Sequence, residues 1–184
     1  GRQPRLDGAD ENSGRHLAAA KIESLQEKGD YAAAFRECRS EYGEGDALCQ
    51  YIRARQYRTG SGVSRDDREA VNWYRRAAEQ GNAAAQYNLG VLYYNGQGVS
   101  KDYQEAFKWY RMAADQGNIT AQYNLGWLYR IGRGVPQDDQ ESAKWFQLAA
   151  EQGNAAAQYK LGWLYLNGRG VAQGGRAWGG GGAG

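Results

Sequence analysis

The chain repeats itself every 36 residues. Residues 82–117 and 118–153 are identical at 21 of 36 aligned positions. The dipeptide Gln-Tyr and a later Gly-x-Gly-Val element recur at this period, starting at Gln50, Gln86, Gln122 and Gln158 and at Gly60, Gly96, Gly132 and Gly168. A period of this length is typical of a solenoid, in which each unit has an apolar face that only its neighbour covers. Such chains present long side-chain surfaces to partners and rarely carry chemistry.

Each unit is predicted to be a hairpin of two antiparallel helices. In residues 82–117, Leu89 and Leu92 belong to an apolar pattern at helical spacing that ends at Gly96. The second helix is predicted to begin with a capping box, in which Asp102 accepts from first-turn amides and Glu105 reaches back. The same acidic pair recurs as Asp66 with Glu69 and Asp138 with Glu141.

A glycine interrupts the first helix of three units, at Gly90, Gly126 and Gly162. Glycine inside a helix costs about 1 kcal/mol relative to alanine. Its return at the same place predicts that another helix passes too close for any side chain.

The segments AAEQGNAAAQYNLGVLYYNGQGV and AADQGNITAQYNLGWLYRIGRGV closely resemble the Sel1-like repeat family, relatives of the tetratricopeptide repeats. The resemblance covers about residues 30–171. It implies an all-α fold, a right-handed α-solenoid of antiparallel helix pairs that serves as a protein-interaction scaffold or adaptor without a cofactor. Many bacterial members of the family are exported or work at the cell envelope.

The ends depart from the repeat. We expect a flexible segment at 1–13, a solenoid at 14–171 and a glycine-rich tail at 172–184, in which seven of 13 residues are glycine. The solenoid is divided into an N-terminal capping hairpin at 14–45, repeats at 46–81, 82–117 and 118–153, and a half repeat at 154–171.

The tail has no pattern for the second helix of the last unit. Leu161, Leu164 and Tyr165 are therefore expected to form an exposed C-terminal face. Such a face favours a homodimer or capture of a foreign helix, with Trp178 folding back as a further cover. A truncated or frame-shifted sequence is the alternative.

Positions of the first helices that vary between copies fall three or four residues apart, on the face opposite the packed one. They are predicted to line a concave, partner-binding groove, in which Trp127 and Trp163 are neighbours. The alternative is that both tryptophans pack between hairpins. The asparagines of this face could also bind a ligand backbone. The predicted groove residues are Arg55, Arg58, Asn88, Val91, Tyr94, Asn124, Trp127, Arg130, Lys160 and Trp163, with Ile52 on the same face.

Cys38 and Cys49 lie on either side of a predicted turn at residues 43–45. If the turn joins antiparallel helices, the two thiols come within reach of a disulfide; the alternative is two buried free cysteines. A bridge would imply an oxidising compartment, so we expect a periplasmic or secreted protein, with a cytoplasmic location as the alternative. The chain begins without Met or a signal peptide, which we interpret as a processed start.

Little in the sequence favours catalysis. His16 is the only histidine, so no histidine triad or metal cluster is expected. The Gly-x-Gly-Val loops join helices and lack the strand and Lys-Ser/Thr of a phosphate loop. A net charge of +2 argues against nucleic acid as the partner, and no apolar run is long enough to span a membrane.

The sequence therefore predicts a non-enzymatic scaffold that binds a protein or peptide partner in its groove. Two narrower roles are alternatives. One is an immunity or inhibitor protein that blocks the active site of a secreted bacterial effector enzyme. The other is a cell-envelope adaptor.

Overall fold

A computed structural model describes residues 8–39 and 45–170. These residues form nine α-helices and no strand. The helices are α1 (Gly8–Glu27), α2 (Tyr31–Glu37), α3 (Ala47–Thr59), α4 (Asp67–Glu79), α5 (Ala83–Asn95), α6 (Tyr103–Asp115), α7 (Ile119–Ile131), α8 (Asp139–Glu151) and α9 (Ala155–Leu166). The predicted pairing of helices within a repeat is confirmed for α3 with α4 and for α7 with α8, and α1 also packs on α2.

Helix α1 corrects the expectation for the N-terminal segment. It begins at Gly8, so residues 8–13 are helical although they were expected to be flexible. Polar composition does not by itself oppose a helix, since alanine and glutamate are both good helix formers.

The helices belong to two compact units, residues 1–102 and residues 103–184. In the first unit α1 packs on α2, α3 on α4, and α4 on α5. In the second, α7 packs on both α6 and α8, and α8 on α9. We call α3, α5, α7 and α9 the first helices, and α4, α6 and α8 the second helices.

Side chains from neighbouring helices fill the core of each unit. A cluster near the start of the first unit consists of Ile22, Ala34, Cys38, Cys49 and Ile52. At the end of the second unit, α8 and α9 bury Ala143, Phe146, Ala149, Ala157 and Leu164 together. Since the apolar side chains meet between helices, no hairpin buries its own core alone.

Asparagine and aspartate begin the helices as capping residues. The side chain of Asp66 accepts from the amides of Arg68 and Glu69, at 2.9 and 3.1 Å, and Asp138 does the same on α8. Asn82, Asn118 and Asn154 each cap a first helix. The aspartate half of the predicted capping box is therefore correct.

The predicted bonds from Glu69 and Glu141 back to the amides of their capping aspartates are wrong. Glu69 and Glu141 have no bond to the amide of the capping aspartate, because that amide is already used. The Asp66 amide donates to the Tyr57 carbonyl and the Asp138 amide to the Tyr129 carbonyl, both at 2.9 Å. This bond holds the start of the second helix against the end of the first. The Glu141 carboxylate pairs with the Lys144 ammonium instead.

The glutamine of the Gln-Tyr dipeptide connects successive hairpins. Gln122 is 4% exposed, and its amide nitrogen donates to the carbonyl of Ala114 at 3.3 Å. Its side-chain oxygen accepts from the Gln152 amide nitrogen at 2.7 Å. In the first unit Gln80 donates to Gln50 in the same way, at 2.8 Å. The repeated glutamine thus binds the preceding hairpin through its amide nitrogen and the end of its own second helix through its oxygen, so that its buried polar groups are paired.

The second glycine of each Gly-x-Gly-Val loop touches an earlier second helix. A Cβ atom on Gly98 would lie 2.1 Å from the Asp67 carbonyl oxygen, and one on Gly134 would lie 2.1 Å from the Tyr103 carbonyl oxygen. Both contacts are with backbone in the first helical turn, which cannot yield as a side chain would. The loop motif is therefore a stacking contact between hairpins.

The prediction of a close helix approach is confirmed at Gly126. A Cβ atom there would lie 2.7 Å from the Phe146 ring, and the Ser142 hydroxyl donates to the Gly126 carbonyl at 2.7 Å. It is wrong at Gly162, where a Cβ atom would meet nothing within 4 Å among the described residues. The residues that follow α9, as α8 follows α7, lie outside the described part of the chain from residue 171.

The expected exposed C-terminal face needs a correction. Leu164 is 1% exposed and packs in the cluster with Phe146. It is buried because its partner is the preceding helix α8, as for its equivalents Leu92 and Leu128. Leu161 is half-buried and Tyr165 is 47% exposed. The homodimer through this end stays a prediction, and Trp178 lies outside the described residues.

The two cysteines are free and buried in the same cluster, on α3 and at the C-terminus of α2. A hydrogen bond with the Cys49 thiol and burial both raise the pKa of the Cys38 thiol. The structure therefore agrees with the alternative of two buried free cysteines. The turn at 43–45, which was expected to join their helices, lies mostly outside the described residues.

Gly126 and Gly162 provide a matched pair for testing the close approach. Gly126→Ala should lower the free energy of unfolding by about 1–3 kcal/mol, because the buried Phe146 ring must shift. Gly162→Ala should leave it unchanged or raise it by up to about 1 kcal/mol, through helix propensity alone. Urea unfolding followed by circular dichroism measures both. Equal effects of the two substitutions would contradict the approach.

The cysteines should resist alkylation in the folded protein, because only an accessible thiolate reacts rapidly. Iodoacetamide at pH 8 should leave the native mass unchanged and should modify both thiols after denaturation without reductant. Mass spectrometry gives the answer. An unmodified denatured chain that gains both labels only after reduction would instead show a Cys38–Cys49 bridge.

Candidate functional site

The ten predicted groove residues all lie on first helices, and none of them is buried. Arg55 on α3 is exposed, as is Trp127 on α7, and the others are partly exposed or exposed. Ile52 is an exception to the predicted face: it is 2% exposed and belongs to the core cluster with the cysteines. Helix α3 presents Arg55 and, in part, Arg58 to solvent, whereas Ile52 is buried.

In the first unit, Arg58 and Asn88 form a bridge between α3 and α5. The Arg58 guanidinium donates to the Asn88 side-chain oxygen at 2.8 Å, and the Asn88 amide nitrogen donates to the Ala84 carbonyl at 2.8 Å. Both groups of the Asn88 amide are therefore used within the protein. The expectation that Asn88 binds a ligand backbone is not supported.

Below this bridge, Tyr74 packs against Tyr51 with ring centroids 5.9 Å apart. Burial raises the pKa of Tyr74 to about 12, partly offset by the charge of Arg58. Tyr74 is thus a neutral core residue at physiological pH.

In the second unit, side chains of α7, α8 and α9 surround a cavity of about 320 Å³, which we call the aromatic pocket. Phe146 and Leu164, both 1% exposed, form its floor. Trp127, Trp163 and Tyr159 form its aromatic walls, and Tyr159 is 70% exposed. Four of the predicted groove residues that vary between copies therefore line one cavity: Trp127, Arg130, Lys160 and Trp163.

The two tryptophans of the aromatic pocket are each covered by a cation from the other helix. The Lys160 ammonium on α9 lies 4.8 Å from the ring centroid of Trp127 on α7. The Arg130 guanidinium on α7 lies 5.2 Å from the ring centroid of Trp163 on α9. Cation–π contacts of this kind contribute about 0.5–1 kcal/mol at exposed sites. The crossed pair therefore holds both indoles in place at the pocket wall.

Arg130 also belongs to an ion network at the edge of the aromatic pocket. Its guanidinium lies 3.5 Å from Asp139 Oδ1, and the Arg169 guanidinium lies 3.7 Å from Asp139 Oδ2. Both separations are longer than a good charged hydrogen bond. One carboxylate is thus shared loosely by two arginines.

Exposure separates Trp127 and Trp163 from the core tryptophans. They are 36% and 40% exposed, whereas Trp109 and Trp145 on the second helices are 6% and 7% exposed. Trp127 and Trp163 thus differ from the core tryptophans of the second helices, and their place in a partner-binding groove stays a prediction.

Sequence reasoning missed Tyr159 and Phe146 as pocket residues. Tyr159 belongs to the fixed Gln-Tyr dipeptide, and its equivalents Tyr87 and Tyr123 are half-buried. Phe146 has the pattern of a core residue and lies on a second helix. Neither residue is among the positions that vary, because the copies all have tyrosine at the position of Tyr159 and an aromatic residue at the position of Phe146.

The Sel1 repeat family matches residues 47–82, 83–118, 119–154 and 155–176. The chain belongs to the Sel1 repeat family. Comparison with curated proteins finds no match. Sel1 repeats generally mediate protein–protein interaction.

Solved structures show the same fold. A Sel1 repeat protein from Oxalobacter formigenes is 35% identical, with a TM-score of 0.81 over 84% of this chain. A protective antigen of uropathogenic Escherichia coli strains, with an SLR fold, is 33% identical, with a TM-score of 0.78 over 91% of this chain. This chain spans only 63% and 38% of their respective lengths.

Cysteine rich protein B of Helicobacter pylori is 20% identical and has a TM-score of 0.54, over 78% of this chain and 96% of its own. At this identity the similarity concerns the fold alone. Together with the all-helical hairpins, these structures confirm the predicted class, an α-solenoid of Sel1-like repeats.

Within residues 8–39 and 45–170, no group of three or more His, Cys, Asp or Glu side chains is placed to hold a metal ion. None of the helices in these ranges is both long and apolar enough to span a bilayer.

The partly exposed tryptophans of this Sel1 repeat protein should contribute less to its stability than the core tryptophans. Trp127→Ala and Trp163→Ala should each lower the free energy of unfolding by about 1–3 kcal/mol, through the lost apolar burial and the lost cation–π contact. Trp145→Ala, the buried control, should cost about 3–5 kcal/mol. Thermal and urea unfolding compare the three variants. A cost for Trp127→Ala as large as that for Trp145→Ala would assign Trp127 to the core.

Proposed function

We propose that this Sel1 repeat chain is a non-enzymatic scaffold that binds a protein or peptide partner through the groove residues of its first helices. The observation that carries this proposal is the aromatic pocket of the second unit. Its floor is apolar, and its walls include two tryptophans with more than a third of their surface exposed. Tryptophan and arginine are the side chains most enriched at binding hot spots, and here they occur together.

The aromatic pocket is also preorganised. Each indole is fixed by a cation from the facing helix, and Phe146 and Leu164 are held in the core beneath them. A partner side chain that enters the pocket would order few flexible groups. The entropy cost of binding is therefore small, which favours the pocket as the centre of an interface.

The narrower roles differ in the partner they require. An immunity or inhibitor protein needs one effector enzyme, whose active site it covers, whereas a cell-envelope adaptor needs several envelope proteins. Either role is compatible with a periplasmic or secreted location. A scaffold working in the cytoplasm would use the same surface on cytosolic partners.

Affinity purification with matched variants tests the proposal. The double variant Trp127→Ala/Trp163→Ala removes the pocket walls, and Met112→Ala/Leu148→Ala is the control. The control removes hydrophobic side chains of similar exposure, 39% and 43%, from the second helices. Proteins captured by the wild type and the control, but lost by at least about tenfold from the tryptophan variant, are partners of the groove. Quantitative mass spectrometry of the captured proteins provides the ratio.

A partner set that both double variants retain equally would contradict the proposal. Among proteins that depend on the tryptophans, one stoichiometric enzyme would favour the inhibitor role. Several envelope proteins would favour the adaptor role.

A further inference from the structure

Acidic side chains are absent from one of the two kinds of helix. The first helices α3, α5, α7 and α9 contain five Arg and Lys residues and no Asp or Glu. The second helices α4, α6 and α8 contain eight Asp and Glu residues beside six Arg and Lys residues. The cations of the first helices are Arg53, Arg55, Arg58, Arg130 and Lys160. The net charge of +2 does not show this difference between the helices.

One of these cations serves the core. Arg53 is 7% exposed and lies with its guanidinium 3.6 Å from the ring centroid of Trp73. The other four are at least partly exposed and lie at predicted groove positions. Within each unit, the solvent-facing charges of the first helices are thus uniformly positive.

Two cations of the second unit, Lys160 and Arg130, line the aromatic pocket. Lys160 is partly exposed, and among the described residues it has no ion pair; its ammonium contacts the rings of Trp127 and Tyr159. Arg130 shares the single carboxylate of Asp139 with Arg169, at 3.5 and 3.7 Å. The two cations that line this apolar cavity therefore have one long ion pair between them. A ligand with negative charge beside an apolar group would complement both features.

We propose that the aromatic pocket binds an acidic peptide segment of a partner protein, with one aromatic or large aliphatic side chain in the cavity. This inference rests on the proposed scaffold function and names the chemistry of its partner. Carboxylates on either side of the anchoring side chain pair with Lys160 and Arg130. The cavity of about 320 Å³ above Phe146 and Leu164 receives the anchor.

The same features disfavour a nucleic acid in this pocket. Single-stranded nucleic acids stack their bases on open aromatic faces. They also need a positively charged groove that follows the backbone, whereas only Lys160 and Arg130 line this pocket and Asp139 lies beside Arg130. An acidic peptide is therefore the better fit.

The charge of the glycine-rich tail does not complement the aromatic pocket. Residues 171–184 contain Arg176 and no Asp or Glu, so they do not complement Lys160 and Arg130. A second copy could enter the pocket only through a different segment.

Three fluorescein-labelled peptides test the proposal by fluorescence anisotropy with the full chain. The first is Gly-Ser-Glu-Glu-Phe-Glu-Glu-Ser-Gly. The second has Lys in place of each Glu, and the third has Ala in place of Phe. The first peptide should bind at least roughly tenfold more tightly than either control, because only it satisfies both the charge and the cavity. Raising the salt concentration to about 0.5 M should remove most of the difference between the first two peptides.

Variants of the pocket cations locate the contact. Lys160→Gln should weaken binding of the acidic peptide by about three- to fivefold, and Lys160→Arg should restore most of the affinity. Lys108→Gln on α6 is the control, since this lysine is also exposed and lies on a second helix. Trp163→Ala should weaken the acidic peptide and the lysine peptide alike. Circular dichroism melting curves show whether each variant is folded.

Several outcomes would overturn the inference. They are equal binding of the acidic and basic peptides, no binding of the acidic peptide, and no effect of Lys160→Gln. A labelled dT oligonucleotide that competes for the pocket and loses affinity with Trp163→Ala would assign the pocket to nucleic acid. Concentration-dependent dimerisation abolished by Trp163→Ala would assign it to a second copy.

The failure of this inference can be distinguished from failure of the proposed function. If partners captured in affinity purification depend on Trp127 and Trp163 but the acidic peptide does not bind, the scaffold function stands and the peptide chemistry is wrong. If the acidic peptide binds through Lys160 but no captured protein depends on the tryptophans, the pocket chemistry stands and the scaffold function fails.

Discussion

The close approach of backbone to backbone at the second loop glycine is the contact on which each unit depends. At Gly98 and Gly134 the loop lies against a carbonyl oxygen in the first turn of an earlier second helix, where even a methyl group would overlap. A hairpin placed this closely brings its buried glutamine and its apolar face into contact with its neighbour. Hydrogen bonds such as that from Gln122 to the Ala114 carbonyl, and the buried alanines and leucines, follow from the spacing that the glycine allows.

This stacking leaves the outer faces of the first helices without a part in the core. The face of α7 and α9 that carries tryptophan and a cation is therefore available to form a pocket. The pocket arises because consecutive first helices place equivalent side chains side by side, so that Lys160 reaches Trp127 and Arg130 reaches Trp163. Because the helices repeat, the exposed faces of α7 and α9 lie side by side and contribute to one shared site.

Much of the fold followed from the sequence because the relevant signals are local. Helix starts at Asp66 and Asp138 depend on a side chain and the amides two or three residues later. The Gly126 approach was predictable because a repeated glycine inside a helix has few other causes. The reach of Glu69 back to its aspartate was not correctly predicted, because the amide it needed donates to a carbonyl in another helix. The faces of Ile52 and Leu164 were also misplaced, since burial depends on which neighbouring helix is present.

By itself, the sequence determined the repeat, the helical hairpins, the family and the positions that vary on the first helices. Each of these depends on spacing along the chain, which the periodicity records directly. Only the tertiary structure decided that Trp127 and Trp163 are exposed, that Phe146 and Tyr159 join them, and that Asn88 is occupied by Arg58. These features depend on distances between side chains of different helices, and the packing of one hairpin on the next sets those distances.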